Sequence, residues 1–137
     1  MRIRRLGLGD ETVVTVLATR GAPARARDLL ADPRTLFLVA FDHERPVGFV
    51  LAYELLRRHG DPSKIFVYEV DVAEEYRRRG IGAALMRELA RLARERGVRH
   101  GWVLTDRSNE AAMALYESVG GVRPHEETMW EFEYGDG

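Results

Sequence analysis

The stretch from Lys64 to Arg96 constrains this chain more than any other. Lys64 to Val72 is a run of apolar, aromatic and β-branched residues, which reads as a strand. From Ile81 to Arg96 the period becomes helical: Ile81, Leu85, Leu89 and Leu92 recur at spacings of three or four, with arginine and glutamate between them. Between the two lies Arg77-Arg78-Arg79-Gly80-Ile81-Gly82. A strand thus enters a long helix through a basic turn with two glycines. The first turn of a helix carries unpaired amide N–H groups and the positive end of the macrodipole, so it attracts anions. Gly80 and Gly82 let backbone approach phosphate oxygens, and the arginines add charge and forked donors. A solvated basic turn has the same composition, so the segment alone leaves both readings open. It is not a Walker A loop, because no lysine and Ser/Thr follow the second glycine. It is not G-x-G-x-x-G either, since Leu85 stands at the third glycine position.

Other elements follow from the same patterns. Arg2 to Leu6 reads as a short strand. Asp10 can cap a helix that carries Val13, Val14 and Leu17 on one face. Pro23 can open a second helix through Leu29 and Leu30, stopped at Asp32-Pro33. Thr35 to Phe41 and Val47 to Tyr53 form a hairpin about the polar turn Asp42 to Pro46. Arg57 to Ser63 is a loop. Gly97 ends the long helix. Trp102 to Leu104 is a short strand, Asn109 caps a helix to about Ser118, Gly120-Gly121 ends it, and Thr128 to Tyr134 is a final strand. This order predicts an α/β (α+β) fold: a mixed, mostly antiparallel sheet with helices on both faces. The 137 residues are expected to form one domain, 1–137.

The charge balance narrows function. The formal net charge is -1, which argues against a nucleic-acid partner. Arginines concentrate between Arg77 and Arg99, whereas Glu126, Glu127, Glu131, Glu133 and Asp136 gather near the end. There is no cysteine, so a disulfide framework, a thiolate metal site and a cysteine nucleophile are excluded. His43, His59, His100 and His125 lack metal-ligand spacing, and no metal is expected. No stretch approaches the ~20 apolar residues of a membrane span. Met1 to Asp10 has no signal-peptide core, so the expected location is cytoplasmic, with no membrane partner.

Arg77-x-x-Gly80-x-Gly82 at a strand-to-helix turn, preceded by Val72 and followed by Asn109, Ala112, Leu115, Tyr116 and Gly120, resembles the coenzyme A site of the GNAT acetyltransferases. The resemblance covers about Thr35 to Tyr134 and departs in having Gly120-Gly121-Val122 where the family often has Gly-Phe. It implies the GNAT fold and acetyl-CoA as cosubstrate, held by Val70, Val72, Arg77, Arg78, Arg79, Gly80, Gly82, Ala83, Asn109 and Tyr116. A homodimer is carried over by analogy.

Acetyl transfer to an amine requires deprotonation of an ammonium whose ordinary pKa is ~10.4. It also requires polarisation of the thioester carbonyl, a proton for the leaving thiolate, and both substrates held in line. Without cysteine, direct attack in a ternary complex is favoured, as the resemblance also implies. Glu69 and Asp71, two apart on the strand entering the turn, are the candidate bases. Strict alternation puts them on the face of Ile65 and Val67, with Phe66, Tyr68, Val70 and Val72 opposite. The resemblance places Tyr116 near the coenzyme A sulfur as proton donor, and the amide near Val72 at the carbonyl.

Ala52-Tyr53-Glu54-Leu55, Ile65-Phe66-Val67-Tyr68-Glu69, Ala114-Leu115-Tyr116 and Glu126-Glu127-Thr128-Met129 are more closely similar to the gentamicin-type aminoglycoside 3-N-acetyltransferases. Those enzymes carry an acidic residue at the position of Glu69 and small residues at that of Asp71, which ranks Glu69 first as base. They carry an aspartate at the position of Asp106, and tend to have aspartate where this chain has Asn109. The implied acceptor is a polycationic amine, bound by Tyr53, Glu54, Asp106 and Glu127. The same carboxylates would attract a polyamine or a lysine-rich peptide. One alternative is a GNAT enzyme acting on another amine, namely a polyamine, an amino-acid derivative or a protein N-terminus; the alternative outside enzymes is a catalytically silent acetyl-CoA-binding module used for regulation.

Overall fold

The computed structural model describes residues 1–18, 24–60 and 62–135. Its elements run β1 (Arg2–Arg5), α1 (Glu11–Leu17), α2 (Ala26–Ala31), β2 (Thr35–Asp42), β3 (Arg45–Leu55), β4 (Lys64–Val72), a 3₁₀ turn (Glu74–Tyr76), α3 (Ile81–Glu95), β5 (His100–Val103) and α4 (Glu110–Ser118). The strands form one sheet in the order β1-β2-β3-β4-β5. Every pairing is antiparallel except β4 with β5, which is parallel. The expected α/β layout, with a mostly antiparallel mixed sheet, is therefore present. The proposed opening of the second helix at Pro23 lies outside the described residues.

Strand β2 has apolar side chains on both faces because it is covered on both. Leu36, Leu38 and Ala40 join Val50, Ala52, Ile65 and Val67 beneath the Ile81, Leu85 and Leu89 stripe of α3. Phe37, Val39 and Phe41 join Leu51 beneath Val14 of α1 and Ala26 and Leu30 of α2. α3 ends as a Schellman motif: Gly97 adopts φ +72°, its N–H donates to the Arg94 carbonyl, and the Val98 N–H donates to that of Ala93.

Two expectations are corrected. The alternation along β4 does not run unbroken. Leu51 pairs with Glu69 and Ala52 with Val67, so Tyr68 is an extra residue in a β-bulge. The bulge reverses the faces beyond it. Val70 and Val72 turn inward with Ile65 and Val67, while Glu69 and Asp71 turn to the opposite face. An unbroken strand would drive two carboxylates into the apolar cluster under α3, at a large desolvation cost. The second correction concerns Thr128–Tyr134. Residues 122–135 are exposed and form no strand, and β5 pairs only with β4.

Candidate functional site

At the turn before α3, two residues take left-handed backbone: Arg78 with φ +64° and Gly80 with φ +78°. Gly80 is the N-cap and makes no side-chain cap hydrogen bond, so the first amides of α3, at Ile81, Gly82 and Ala83, point outward without intrahelical partners. A left-handed residue flanking a helix start makes a concave nest of N–H groups. The arginines divide the work. Arg77 donates from Nε to the Val72 carbonyl (2.9 Å) and pairs with Asp71 (3.5 Å). Arg79 lies 4.9 Å from the centroid of the Tyr76 ring, and the Tyr76 hydroxyl donates to Asp42. That bond raises the Tyr76 pKa and lowers that of Asp42. Arg78 makes no ion pair among the described residues and is exposed.

Gly82 also has a packing role. A Cβ there would stand 3.1 Å from Leu115 Cδ2, so the missing side chain admits α4 against the first turn of α3. Gly80 is the glycine whose backbone shape the turn requires.

Beyond Val67, β4 loses its neighbour, because the pairing with β5 covers only Lys64–Val67 against His100–Val103. Its backbone from Glu69 to Val72 therefore presents an unpaired edge beside the anion turn. Val70 and Val72 lie on this edge with their side chains toward the core. The Val72 N–H donates to Asp71 Oδ1 (2.9 Å). Asp71 is thus engaged by an amide and by Arg77, whereas Glu69 has no hydrogen-bond or ion-pair partner among the described residues.

Glu69 shares its face with an aromatic row that pattern reading passed over, apart from Tyr53. Tyr53 packs against Tyr68 at 5.9 Å, Tyr68 against Phe66 at 5.9 Å, and Phe66 stacks on Trp102 at 5.3 Å. The Tyr53 pKa is raised by burial first, then by Tyr68 and by the charge of Glu69. The signal was available as four aromatics at matched positions on three strand-like runs. It stayed hidden because the bulge that brings Glu69 onto their face leaves no mark on the pattern.

Helix α4 carries two more expected residues. Asn109 caps it, its side-chain oxygen accepting from the Ala112 N–H (3.1 Å). Tyr116 follows Leu115, the residue seated against Gly82, and burial raises its pKa. The Tyr116 carbonyl accepts from the Gly121 N–H, and a Cβ at Gly121 would lie 2.8 Å from that oxygen. Glycine at 121, where the family often has phenylalanine, is therefore a steric requirement of this helix end. Asp106 closes the preceding loop, accepting from the Ser108 N–H and hydroxyl at 2.8 and 2.7 Å.

Two expected residues are not brought to this place. Glu54 lies opposite Ile65, four positions before Glu69 along β4, or ~13 Å at the rise of a strand. It accepts from Arg96 Nε at 2.6 Å with little exposure, so its carboxylate ties β3 to the end of α3 instead of facing an acceptor. Glu127 is exposed in the segment that follows α4.

The acetyltransferase (GNAT) family model matches residues 4–121, and the chain belongs to that family. The sheet and its helices are the GNAT fold. The chain is 39% identical over 103 residues to the N-alpha-acetyltransferase RimI of Mycobacterium tuberculosis, covering 74% of this chain and 61% of that protein. It is 31% identical over 90 residues to the streptothricin acetyltransferase of Streptomyces lavendulae, covering 66% and 45%. The chain thus spans about half the length of the curated relatives it matches. Among solved structures, an aminoglycoside acetyltransferase from an uncultured soil metagenomic sample superposes with TM-score 0.86 at 28% identity, covering 98% of both chains. A second soil aminoglycoside acetyltransferase, in complex with trehalose, has TM-score 0.89 at 19% identity over 98% of this chain and 96% of that one, a likeness of fold alone. No helix among the described residues is long and apolar enough to cross a membrane.

Proposed function

We propose that this chain is a cytoplasmic, acetyl-CoA-dependent N-acetyltransferase acting on an aminoglycoside, at the 3-amino group, by direct attack in a ternary complex, and that it confers resistance to the antibiotic. One observation carries the reading: Glu69, unengaged, lies beside an aromatic row at the edge where β4 parts from β5. The anion turn fits the pyrophosphate of acetyl-CoA, with outward amides at Ile81, Gly82 and Ala83 and an open guanidinium at Arg78. Bound there, acetyl-CoA supplies an activated thioester. The unpaired edge of β4 offers N–H and C=O groups to an extended ligand arm.

The side chains divide the proton work. The Glu69 carboxylate takes the proton from the acceptor ammonium. The Tyr116 hydroxyl, kept protonated by burial, gives one to the departing sulfur. The Val72 amide polarises the carbonyl after Asp71 Oδ1 releases it, which makes Asp71 a positioning residue. The aromatic row offers ring faces to the cationic sugar rings, and Asp106 adds long-range attraction.

The 28% identity and TM-score of 0.86 to the soil aminoglycoside acetyltransferase support that acceptor. A protein α-amine is the second reading, favoured by the 39% identity to RimI. Free-thiol release from acetyl-CoA, measured with gentamicin, a polyamine and a peptide with alanine at its N-terminus, separates them. The expected result is turnover with gentamicin at a kcat/KM well above the other two. Turnover with the peptide alone would transfer the assignment to the second reading. Tyr116→Phe should lower kcat by ~10²-fold at unchanged acetyl-CoA affinity.

A further inference from the structure

The face that carries Glu69 has charge of opposite sign at its two ends. Glu69 stands at one end, and Tyr68, Phe66 and Trp102 lead away from it ring against ring. The row ends at a surface cavity of about 360 Å³, which Trp102 lines together with Leu55, Leu56, Arg57, Arg58 and Lys64. Lys64 lies on the face of Phe66, two residues away, and five positions before Glu69, ~16 Å at the rise of a strand. Arg57, Arg58 and Lys64 are exposed, and none has an acidic partner among the described residues. Arg57 Nη1 donates to the Pro62 carbonyl at 3.4 Å, which holds that guanidinium to the loop. Glu54, beside Leu55 on β3, is already taken by Arg96. Between Leu55 and Lys64 the sequence holds a single acid, Asp61, so this end of the face is cationic.

We propose that Arg57, Arg58 and Lys64 set a length limit on the acceptor. They admit amines whose charges stay near Glu69 and reject polycations long enough to lay a further ammonium at the Trp102 end of the row. The limit rests on Glu69 being the site of the acceptor amine, as proposed above. The aromatic row by itself would favour a long polycation, because each ring face attracts an ammonium. Neither the row nor Glu69 tells a compact aminoglycoside from spermine or a lysine-rich peptide. The cationic end does. Exposed charges act over ~8 Å at physiological salt. A compact acceptor at Glu69 is therefore screened from cations ~16 Å away, whereas the far ammonium of an extended polyamine meets them at contact. Like charges so placed turn away a partner that the attractive contacts alone would accept.

Charge reversal tests the limit at positions where folding is not at stake, since both side chains are exposed. Free-thiol release from acetyl-CoA is measured with putrescine, spermine and gentamicin, and spermine affinity is measured by calorimetric titration. The double variant Arg58→Glu with Lys64→Glu should raise kcat/KM and affinity for spermine by ~10-fold, and those for putrescine and gentamicin by ~2-fold. Most of the spermine gain should disappear near 1 M salt, where the screening length falls to ~3 Å. Arg27→Glu with Arg87→Glu makes the same change of net charge at exposed positions on α2 and α3 and should leave the spermine values within ~2-fold of wild type. No gain for spermine overturns the limit. So does an equal gain for putrescine, an equal gain in the Arg27 and Arg87 variant, or a gain undiminished by salt. A wild type that ignores gentamicin but prefers putrescine to spermine, with the preference lost in the Arg58 and Lys64 variant, ends the aminoglycoside reading and upholds the limit.

Discussion

From Lys64 to Val67, β4 lies between β3 and β5, and its inward side chains, Ile65 and Val67, are buried under α3. From Glu69 to Val72 it has β3 alone, and its two carboxylates face out beside aromatic rings. One bulged residue, Tyr68, separates the two regimes. The difference teaches how a single strand serves as both scaffold and site: the bulge keeps valines in the core while turning the acidic positions to the other face. Helices α1 and α2 cover β2 and β3 on that other face, while β4 leaves Tyr68, Glu69 and Asp71 exposed beyond them.

The comparison is broken most forcefully in the paired half. Ile65→Ala should cost ~2–5 kcal/mol of stability, as for a buried aliphatic in a packed core, read from urea unfolding. The kcat/KM of the folded fraction should stay near wild type. A variant that keeps its stability and loses activity would put the site in the wrong half of β4.

In the open half the pattern should invert. Glu69→Gln should lower kcat by ~10²-fold or more, with stability within ~0.5 kcal/mol of wild type, as for an exposed position. Asp71→Asn should have a smaller effect on kcat, because it alters the grip on the Val72 amide and on Arg77 without removing the base. If Asp71→Asn is inert in turnover and Glu69→Gln is not, the positioning role falls. If the order of the two effects reverses, the base is Asp71.

Glu54 sharpens the contrast from the far end of the same strands. Its partner Arg96 also donates to the Pro33 carbonyl, as does Arg5, whose pKa is lowered first by burial and then by Arg96, with Glu54 acting the other way. Glu54→Gln leaves two guanidiniums facing one another and should cost ~1–3 kcal/mol, less than breaking a fully buried pair, read as a fall in Tm. The acceptor KM should not move. A rise in KM at constant Tm would return Glu54 to the acceptor site.

Much of this architecture was legible in the residues. The hairpin, α3 with its glycine stop, the Asn109 cap and the anion turn each rest on a local signal, namely alternation, helical period, cap chemistry or left-handed glycine. What escaped was non-local. The bulge at Tyr68 answers to the apolar demand of α3 across the sheet, so strict alternation assigned Glu69 to the wrong face. Glu54 looked like an acceptor ligand because Arg96, far along the chain, is its partner only in three dimensions. Leu115 cannot be seen beside Gly82 in sequence, so the packing role of that glycine went unread. Thr128–Tyr134 has strand alternation, yet it pairs with no strand among the described residues, because alternation specifies a face pattern without specifying which edge receives it.

The smallest effect belongs to the loop before α4, and it asks whether an engaged carboxylate still acts at a distance. Asp106 has its pKa lowered by the Ser108 hydroxyl and then by the Ser108 amide, against slight desolvation. A carboxyl whose folded pKa lies below its unfolded value contributes stability that is present above the unfolded pKa and lost as pH falls through the folded one. Ser108→Ala removes the larger of the two bonds and should raise the Asp106 pKa toward the ordinary aspartate value, followed by carboxyl chemical shift in an acid titration. The loop should then loosen at a higher pH than in wild type. At neutral pH Asp106 remains ionised and exposed in the variant, so the acceptor KM should hardly change. Asp106→Asn should raise KM modestly in dilute buffer, and the rise should vanish once salt shortens the screening length to ~3 Å near 1 M. A salt-independent rise in KM would mean that Asp106 touches the acceptor, which would move it from a loop brace with a long-range field into the same working class as Glu69.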